Sequence, residues 1–272
     1  MNPADFRYFD IHSHLNFPQF DADREAVIAE MAKEKIGTIT VGTNLKTSEE
    51  AAALAETCPH LFASVGIHPL EADTAESGKK FDFERLASLL KNERVVAVGE
   101  CGLDYSRLAV DPKTASNQKH LQTELFERQI DLAVEFDKPL IIHCRDAYPD
   151  ALAILTAKKQ RYGERLRGDF HFFTSPIDIA RQCLGLGFYI SFTGPITFTA
   201  DYDGIVEYVP LEKMMAETDS PYAAPAPYRG KRNSPLYITE ITAKIAAVRG
   251  QSVDTISKIL CNNVFELFFR KS

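Results

Sequence analysis

The stretch Asp10-Ile11-His12-Ser13-His14-Leu15-Asn16 decides how this chain of 272 residues is read. It follows Phe6, Tyr8 and Phe9, so it reads as a buried first strand. Residues i and i+2 of a strand point to the same face. His12 and His14 would then present two imidazoles side by side at the strand's end. Neutral imidazole is the commonest metal ligand among side chains, and a pair of them suits a divalent ion.

Beyond that stretch the chain alternates between strand and helix. Apolar or β-branched runs at 37–43, 61–68, 94–99, 139–143, 169–173, 188–192 and 213–218 read as strands. Helical patterns fall at 22–35, 47–57, 79–92, 121–136, 147–162, 177–186, 236–249 and 253–269, with Thr47 or Ser48 as a candidate cap for the second. Residues 103–119 read as a long irregular connection, and 220–233 as a Pro-rich loop. Most strands are mixed apolar runs rather than clean alternations, the pattern of parallel strands covered by helices. Eight such units in ~250 residues match an α/β fold of one TIM barrel, (β/α)8, over residues 1–272. A doubly wound open sheet is the structural alternative, but no Gly-x-Gly-x-x-Gly follows the first strand.

Composition narrows the class. Hydrophobic residues make up 45% of the chain, and no run approaches the ~18 apolar residues of a membrane span. Met1-Asn2-Pro3-Ala4-Asp5 has no basic region followed by an apolar run, and the five cysteines are scattered. A cytoplasmic location is expected, with no membrane and no obligate protein partner. Cys101 and Cys144 each follow a candidate ligand and are expected to point away from it as core thiols. The net charge of −7 speaks against a general nucleic-acid coat. It leaves room for an enzyme whose metals and few local cations attract phosphate.

The polar residues at the strand ends converge. His12 and His14 end the first strand, His68 the third, Glu100 the fourth and His143 the fifth. His171 lies in the sixth, and Asp219 ends the eighth. In a barrel those ends open on one face, where active sites form. Four imidazoles and two carboxylates are too many for one structural zinc. They suit two divalent ions sharing a bridging carboxylate, the arrangement used for phosphoryl transfer. Glu100 is the natural bridge, and Asp219 can also accept a proton from the nucleophilic water. His68 and Arg145 are expected to contact substrate phosphate, as are Arg229 and Lys231 of the loop after strand eight. Asp104 is expected to orient a ligand, Glu217 to pair with a buried cation, and Asn263 to form structural hydrogen bonds. His60 and His120 are expected on the surface.

Several motifs together carry a family resemblance. They are Asp10-Ile11-His12-Ser13-His14, Gly66-Ile67-His68-Pro69, Gly99-Glu100-Cys101-Gly102-Leu103-Asp104, His143-Cys144-Arg145-Asp146-Ala147, Glu217-Thr218-Asp219-Ser220-Pro221 and Pro227-Tyr228-Arg229-Gly230-Lys231-Arg232-Asn233. In that order they resemble the TatD family of metal-dependent DNases, which are amidohydrolase-like TIM barrels. The resemblance implies one metal on His12, His14, Glu100 and Asp219, and a second on Glu100, His143 and His171. The ions would be magnesium, manganese or zinc. It also implies a deoxyribonuclease of 3′→5′ polarity. His171-Phe172-Phe173-Thr174-Ser175 departs from the family's His-Cys-Phe-Thr-Gly, and Cys101 replaces a more typical aliphatic; neither change touches a ligand. A barrel mouth admits a strand end more readily than a duplex ~20 Å across, so single-stranded DNA ends are the expected substrate. The alternatives are an endonuclease, an amidohydrolase acting on a small amide or lactone, and a metal-stabilised scaffold without turnover.

Overall fold

Eight strands pair in chain order and all in parallel: β1 (Tyr8–Ser13), β2 (Ile36–Val41), β3 (Leu61–Val65), β4 (Val95–Asp104), β5 (Leu140–Arg145), β6 (Gly168–Phe170), β7 (Tyr189–Phe192) and β8 (Met214–Ala216). The sheet closes on itself where β8 runs out beside β1. There Asp219 N–H donates to the His12 carbonyl at 2.8 Å, and His14 N–H donates to the Ser220 carbonyl at 2.7 Å. This is the expected TIM barrel, seen in a computed structural model that describes residues 2–74 and 81–270. The beginning of the predicted helix at 79–92 lies outside the described residues.

Helices α1 (Arg24–Lys33), α2 (Leu45–Glu56), α3 (Phe83–Leu89), α4 (Pro112–Glu135), α5 (Tyr148–Tyr162), α6 (Ile177–Gly185), α7 (Asp203–Tyr208), α8 (Ile238–Val248) and α9 (Val253–Phe268) follow the strands. Their apolar faces cover the outside of the barrel. Leu140 and Ile142 of β5, for example, share one core with Leu125, Phe126 and Ile130 of α4. The alternate residues face inward. Phe9, Ile11, Ile39, Val41, Phe62, Val96, Ile141 and Met215 form a second core with Val264, Leu267 and Phe268 of α9. Each such large side chain removed from water contributes about 1.5–3 kcal/mol. Asn263 serves this junction as expected, its amide donating to the carbonyls of Leu211 and Met214 at 2.7 and 2.8 Å.

Five local expectations need correction. Residues 103–119 are not one irregular connection. Strand β4 continues to Asp104, and α4 begins at Pro112, capped by Asp111, whose carboxylate accepts from Thr114 N–H at 2.8 Å. The polar first turns of α4 hide it from a hydrophobic-pattern reading, although Asp-Pro is a strong helix start. Glu100 therefore lies within β4 rather than at its end, and His171 just beyond β6 rather than in it. Helix α2 is capped by Asn44, which accepts from Thr47 N–H at 3.0 Å, so the cap precedes Thr47 and Ser48. The stretch between β7 and β8 carries α7, too short for periodicity to betray.

Among the described residues, two of the three register shifts fall beside the polar residues; the third, of β3 on β4, lies between Ala63 and Ser64. The register of β1 on β2 shifts between Asp10 and Ser13, and that of β4 on β5 between Val98 and Cys101. Such shifts re-aim side chains. Gly102 is required beside the second shift, because a Cβ there would overlap the carbonyl of His143. At the first, Asp10 acts as a staple. Its carboxylate is wholly buried and accepts from Thr218 N–H at 2.8 Å, Thr218 Oγ1 at 2.6 Å and His12 N–H at 3.1 Å. Asp10→Ala should lower unfolding stability by about 3 kcal/mol, since it strands several buried donors. Urea unfolding monitored by circular dichroism checks this, and a change below about 1 kcal/mol would remove Asp10 from the closure.

Candidate metal centre

The polar residues named from the sequence meet at the C-terminal mouth. Glu100 is central and 5% exposed. One of its oxygens, Oε2, lies 3.5 Å from His12 Nε2 and 4.0 Å from His14 Nε2. The other, Oε1, lies 2.9 Å from both His143 Nδ1 and His171 Nε2, and 3.4 Å from His68 Nε2. The carboxylate thus divides its two oxygens between two groups of imidazoles. Asp219 completes the first group, its Oδ1 lying 3.7 Å from His12 Nε2 and 3.5 Å from His14 Nε2. Asp219 has φ 53°, a left-handed conformation uncommon for a residue with a Cβ, and its hydrogen bond to His12 holds it there.

The donor set fits metal ions. Nitrogen and oxygen donors about 2.0–2.1 Å from one zinc-sized ion stand roughly 3–3.4 Å apart. Here His12 Nε2 and His14 Nε2 are 3.2 Å apart, as are His143 Nδ1 and His171 Nε2. The far nitrogens are arranged to aim the near ones. His14 Nδ1–H donates to the Val41 carbonyl at 2.9 Å, and His143 Nε2–H to Asp104 Oδ2 at 3.0 Å. His171 Nδ1 faces Glu217 Oε1 at 3.4 Å. Imidazole ligands of metals carry just such outer partners. Asp104 therefore orients His143, as expected. Glu217 does not pair with a lysine or arginine: it accepts from Phe172 N–H at 2.7 Å and Ser191 Oγ at 3.0 Å while facing His171. Strand β8 ends just before it, which turns it toward β6 and β7, so the basic group it faces is the imidazole of His171.

Burial and mutual charge oppose each other. Burial pushes the Glu100 carboxyl up, yet the charges of His171 and His68 and hydrogen bonds from His12 and His143 hold it well below the usual range. Burial pushes His14, His143 and His171 down. The carboxylates beside them, Asp219 and Glu100 for His14, Asp104 and Glu100 for His143, Glu100 and Glu217 for His171, turn the net shift upward. His12 goes the other way, lowered by burial and by the charge of His171 stacked on it at 4.1 Å.

Above the cluster opens a cavity of about 750 Å³. His68 and Arg145 line it, together with Phe17, Arg107, Phe172 and Tyr222. The Leu70 N–H donates to His68 Nδ1 at 3.2 Å, leaving Nε2 as the protonated nitrogen that faces the cluster. Arg229 and Lys231 are exposed and lie outside this lining, with Arg229 stacked over Phe198 at 3.9 Å. Arg232 pins the loop, bonding both Asp23 oxygens at 2.8 and 2.7 Å. Cys101 is a core thiol, whereas half-buried Cys144 also borders the cavity, where β5 runs out into the mouth. His120 is exposed, and half-buried His60 packs edge-on against Phe6, away from the mouth. The reading of the sequence missed Arg107, Phe17 and Tyr222, which sit in loops whose direction no periodicity predicts.

A closed parallel barrel bearing this imidazole–carboxylate cluster defines a metal-dependent hydrolase. Residues 9–269 match the family model of TatD related DNases, and the chain belongs to that family. It is 37% identical over 264 residues to the uncharacterized metal-dependent hydrolase YabD of Bacillus subtilis, covering 96% of this chain and 98% of that one. It is 35% identical over 269 residues to the 3'-5' ssDNA/RNA exonuclease TatD of Enterobacter lignolyticus, covering 96% and 98%. The crystal structure of YJJV, a TatD homologue from Escherichia coli K12, superposes with a TM-score of 0.85 at 29% identity, over 98% of this chain and all of that one.

Metal ligation needs neutral imidazole, and three of the four imidazoles hold their protons more tightly than usual. Uptake of Mn²⁺ or Zn²⁺ near pH 7 should therefore release protons and weaken as the pH falls. Calorimetric titration in two buffers of different ionisation enthalpy reads the proton count directly. Identical heats in both buffers would contradict this arrangement.

Proposed function

We propose that the chain is a single-domain exonuclease that removes nucleotides from the 3′ end of single-stranded DNA, using two divalent ions. The observation that carries the reading is the division of Glu100, one oxygen toward His12 and His14 and the other toward His143 and His171. His12, His14, Glu100 and Asp219 would hold one ion, and Glu100, His143 and His171 the other. Bound there, the ions would supply positive charge to the phosphoryl oxygens and acidify the attacking water. Asp219, whose side chain is 15% exposed, is the carboxylate placed to accept that water's proton. His68 presents Nε2–H to a non-bridging phosphate oxygen, and Arg145 offers a guanidinium to the same substrate. Arg229 and Lys231 would meet the strand farther out, on the rim.

Depth favours ends over interiors. Glu100 and the imidazoles of His14, His143 and His171 line a cavity, which a strand end enters more readily than the backbone of an intact duplex. Aromatic rings support single strands: Phe17 stacks on His14 at 4.4 Å, and Tyr222 is 50% exposed at the mouth. Bases stack on such rings without regard to sequence. The polarity rests on the relative named as a 3'-5' exonuclease.

An oligodeoxynucleotide labelled at its 5′ end, incubated with Mg²⁺, Mn²⁺ or Zn²⁺, should give a ladder shortening by one nucleotide at a time. Internal fragments at the earliest times, or equal cutting of a closed circular duplex, would establish an endonuclease instead; an RNA oligonucleotide run alongside tests sugar preference. Two substitutions test the roles. Asp219→Asn should fold, bind metal less tightly and lose at least ~10²-fold in turnover at saturating metal. Glu100→Ala should lower metal content from about two ions per chain to well under one, because both groups lose a ligand. A Glu100→Ala protein retaining both ions by metal analysis would refute the bridge.

A further inference from the structure

We propose that Arg107 and Arg145 form a second phosphate subsite, which grips the phosphodiester next to the one being cleaved; the inference rests on the nuclease reading above. The two residues belong to neighbouring strands. Arg145 ends β5, in register with Asp104 at the end of β4, and Tyr105 N–H donates to the Arg145 carbonyl at 2.9 Å. Arg107 follows in the tight turn that Asp104 organises by accepting from Ser106 N–H and Ser106 Oγ, at 2.9 and 2.6 Å. Both side chains line the cavity. Among the described residues neither has a hydrogen bond, an ion pair or a ring beneath it.

That freedom sets them apart. Arg24 and Arg249 are satisfied by backbone carbonyls, Arg232 by a carboxylate and Arg229 by an aromatic ring. In a chain with seven more negative than positive charges, two guanidiniums without a direct partner among the described residues line one cavity. A neutral amide or lactone would give them nothing to bind. A guanidinium binds a phosphate through two parallel N–H donors.

Their place in the barrel decides which phosphate. The order of the closed sheet puts β4 and β5 diametrically across from β8 and β1. Phe17 and Tyr222 follow β1 and β8, so the aromatic side of the mouth is opposite the guanidinium side. The cluster that would hold the scissile phosphate lies between them. A strand crossing the mouth rests a base on the rings, its scissile phosphate over Glu100, and its next phosphate against Arg107 and Arg145. Arg107 is thus a substrate-positioning residue that reads chain length and charge beyond the reacting bond.

The test uses the full-length, metal-loaded protein and two tetranucleotides. One carries all its phosphates, and the other a neutral methylphosphonate at the second linkage from the degraded end. The native protein should show a KM about tenfold higher for the neutralised substrate, with kcat nearly unchanged. Arg107→Ala should raise KM for the all-phosphate substrate by a similar factor and lose the discrimination, while Arg107→Lys, which keeps charge but not the fork, should recover part of it. Melting temperatures of both variants within a few degrees of the native protein establish that they are folded. Arg145→Ala, read the same way, stands in if Arg107→Ala does not fold. Equal KM values for the two substrates with the native protein overturn the subsite. Undiminished discrimination by Arg107→Ala overturns the role of Arg107. Hydrolysis of neither substrate by the native protein refutes the nuclease reading itself, and the subsite with it.

Discussion

Closure of the barrel between its first and last strands is the constraint on which the rest depends. The backbone bonds from Asp219 to His12 and from His14 to Ser220 are both structural and positional. They complete the sheet, and they set three candidate ligands, distant in sequence, beside one another. The buried Asp10 carboxylate ties the same seam through Thr218 and His12. A chain that failed to close would lose the barrel and half of the cluster together. The left-handed backbone of Asp219 belongs to this logic, since that conformation persists only where surrounding bonds over-determine it.

The cluster itself is held in opposition. Glu100 and the imidazoles of His12, His14 and His171 are buried and that of His143 nearly so, which disfavours every charged form. Their mutual attraction reverses that cost for all but His12. A group of bases pressed within 2.9–4.0 Å is poorly suited to serve as a plain core. Metal ions held by these residues would relieve the crowding by giving their lone pairs a common partner. The outer shell of Val41, Asp104 and Glu217 keeps the rings aimed so that this partner finds them ready.

The mouth is asymmetric, and the asymmetry separates the candidate chemistries. One fold hosts many chemistries, so the floor alone does not select a substrate. The walls do. Half-buried Phe17 and exposed Tyr222 on one side, and on the other two guanidiniums without a partner among the described residues, match a ligand that alternates flat bases with anionic phosphates. A scaffold without turnover would have no use for an open cavity above its metals. The family membership agrees with the nucleic-acid reading.

The sequence by itself determined the architecture and the residues that gather at the barrel mouth. Apolar runs alternating with helical patterns are local signals, and eight of them bound a parallel barrel. His12, His14, Glu100, His143, His171 and Asp219 were legible because each stands against the apolar run of a strand, where a metal-binding side chain is out of place. Tertiary structure alone decided the rest. The two-way split of Glu100 depends on a register shift beside Gly99, which no pattern of period two contains. Glu217 read as a partner for a cation because nothing local told it that Ser191 and the Phe172 amide stand opposite. The start of α4 was hidden by its polar first turns. Arg107 and Tyr222 lie in loops, and a loop residue's direction is set by the hydrogen bonds of its neighbours and not by its spacing. Strand residues announce their face through periodicity; loop residues acquire theirs only when the barrel closes around them.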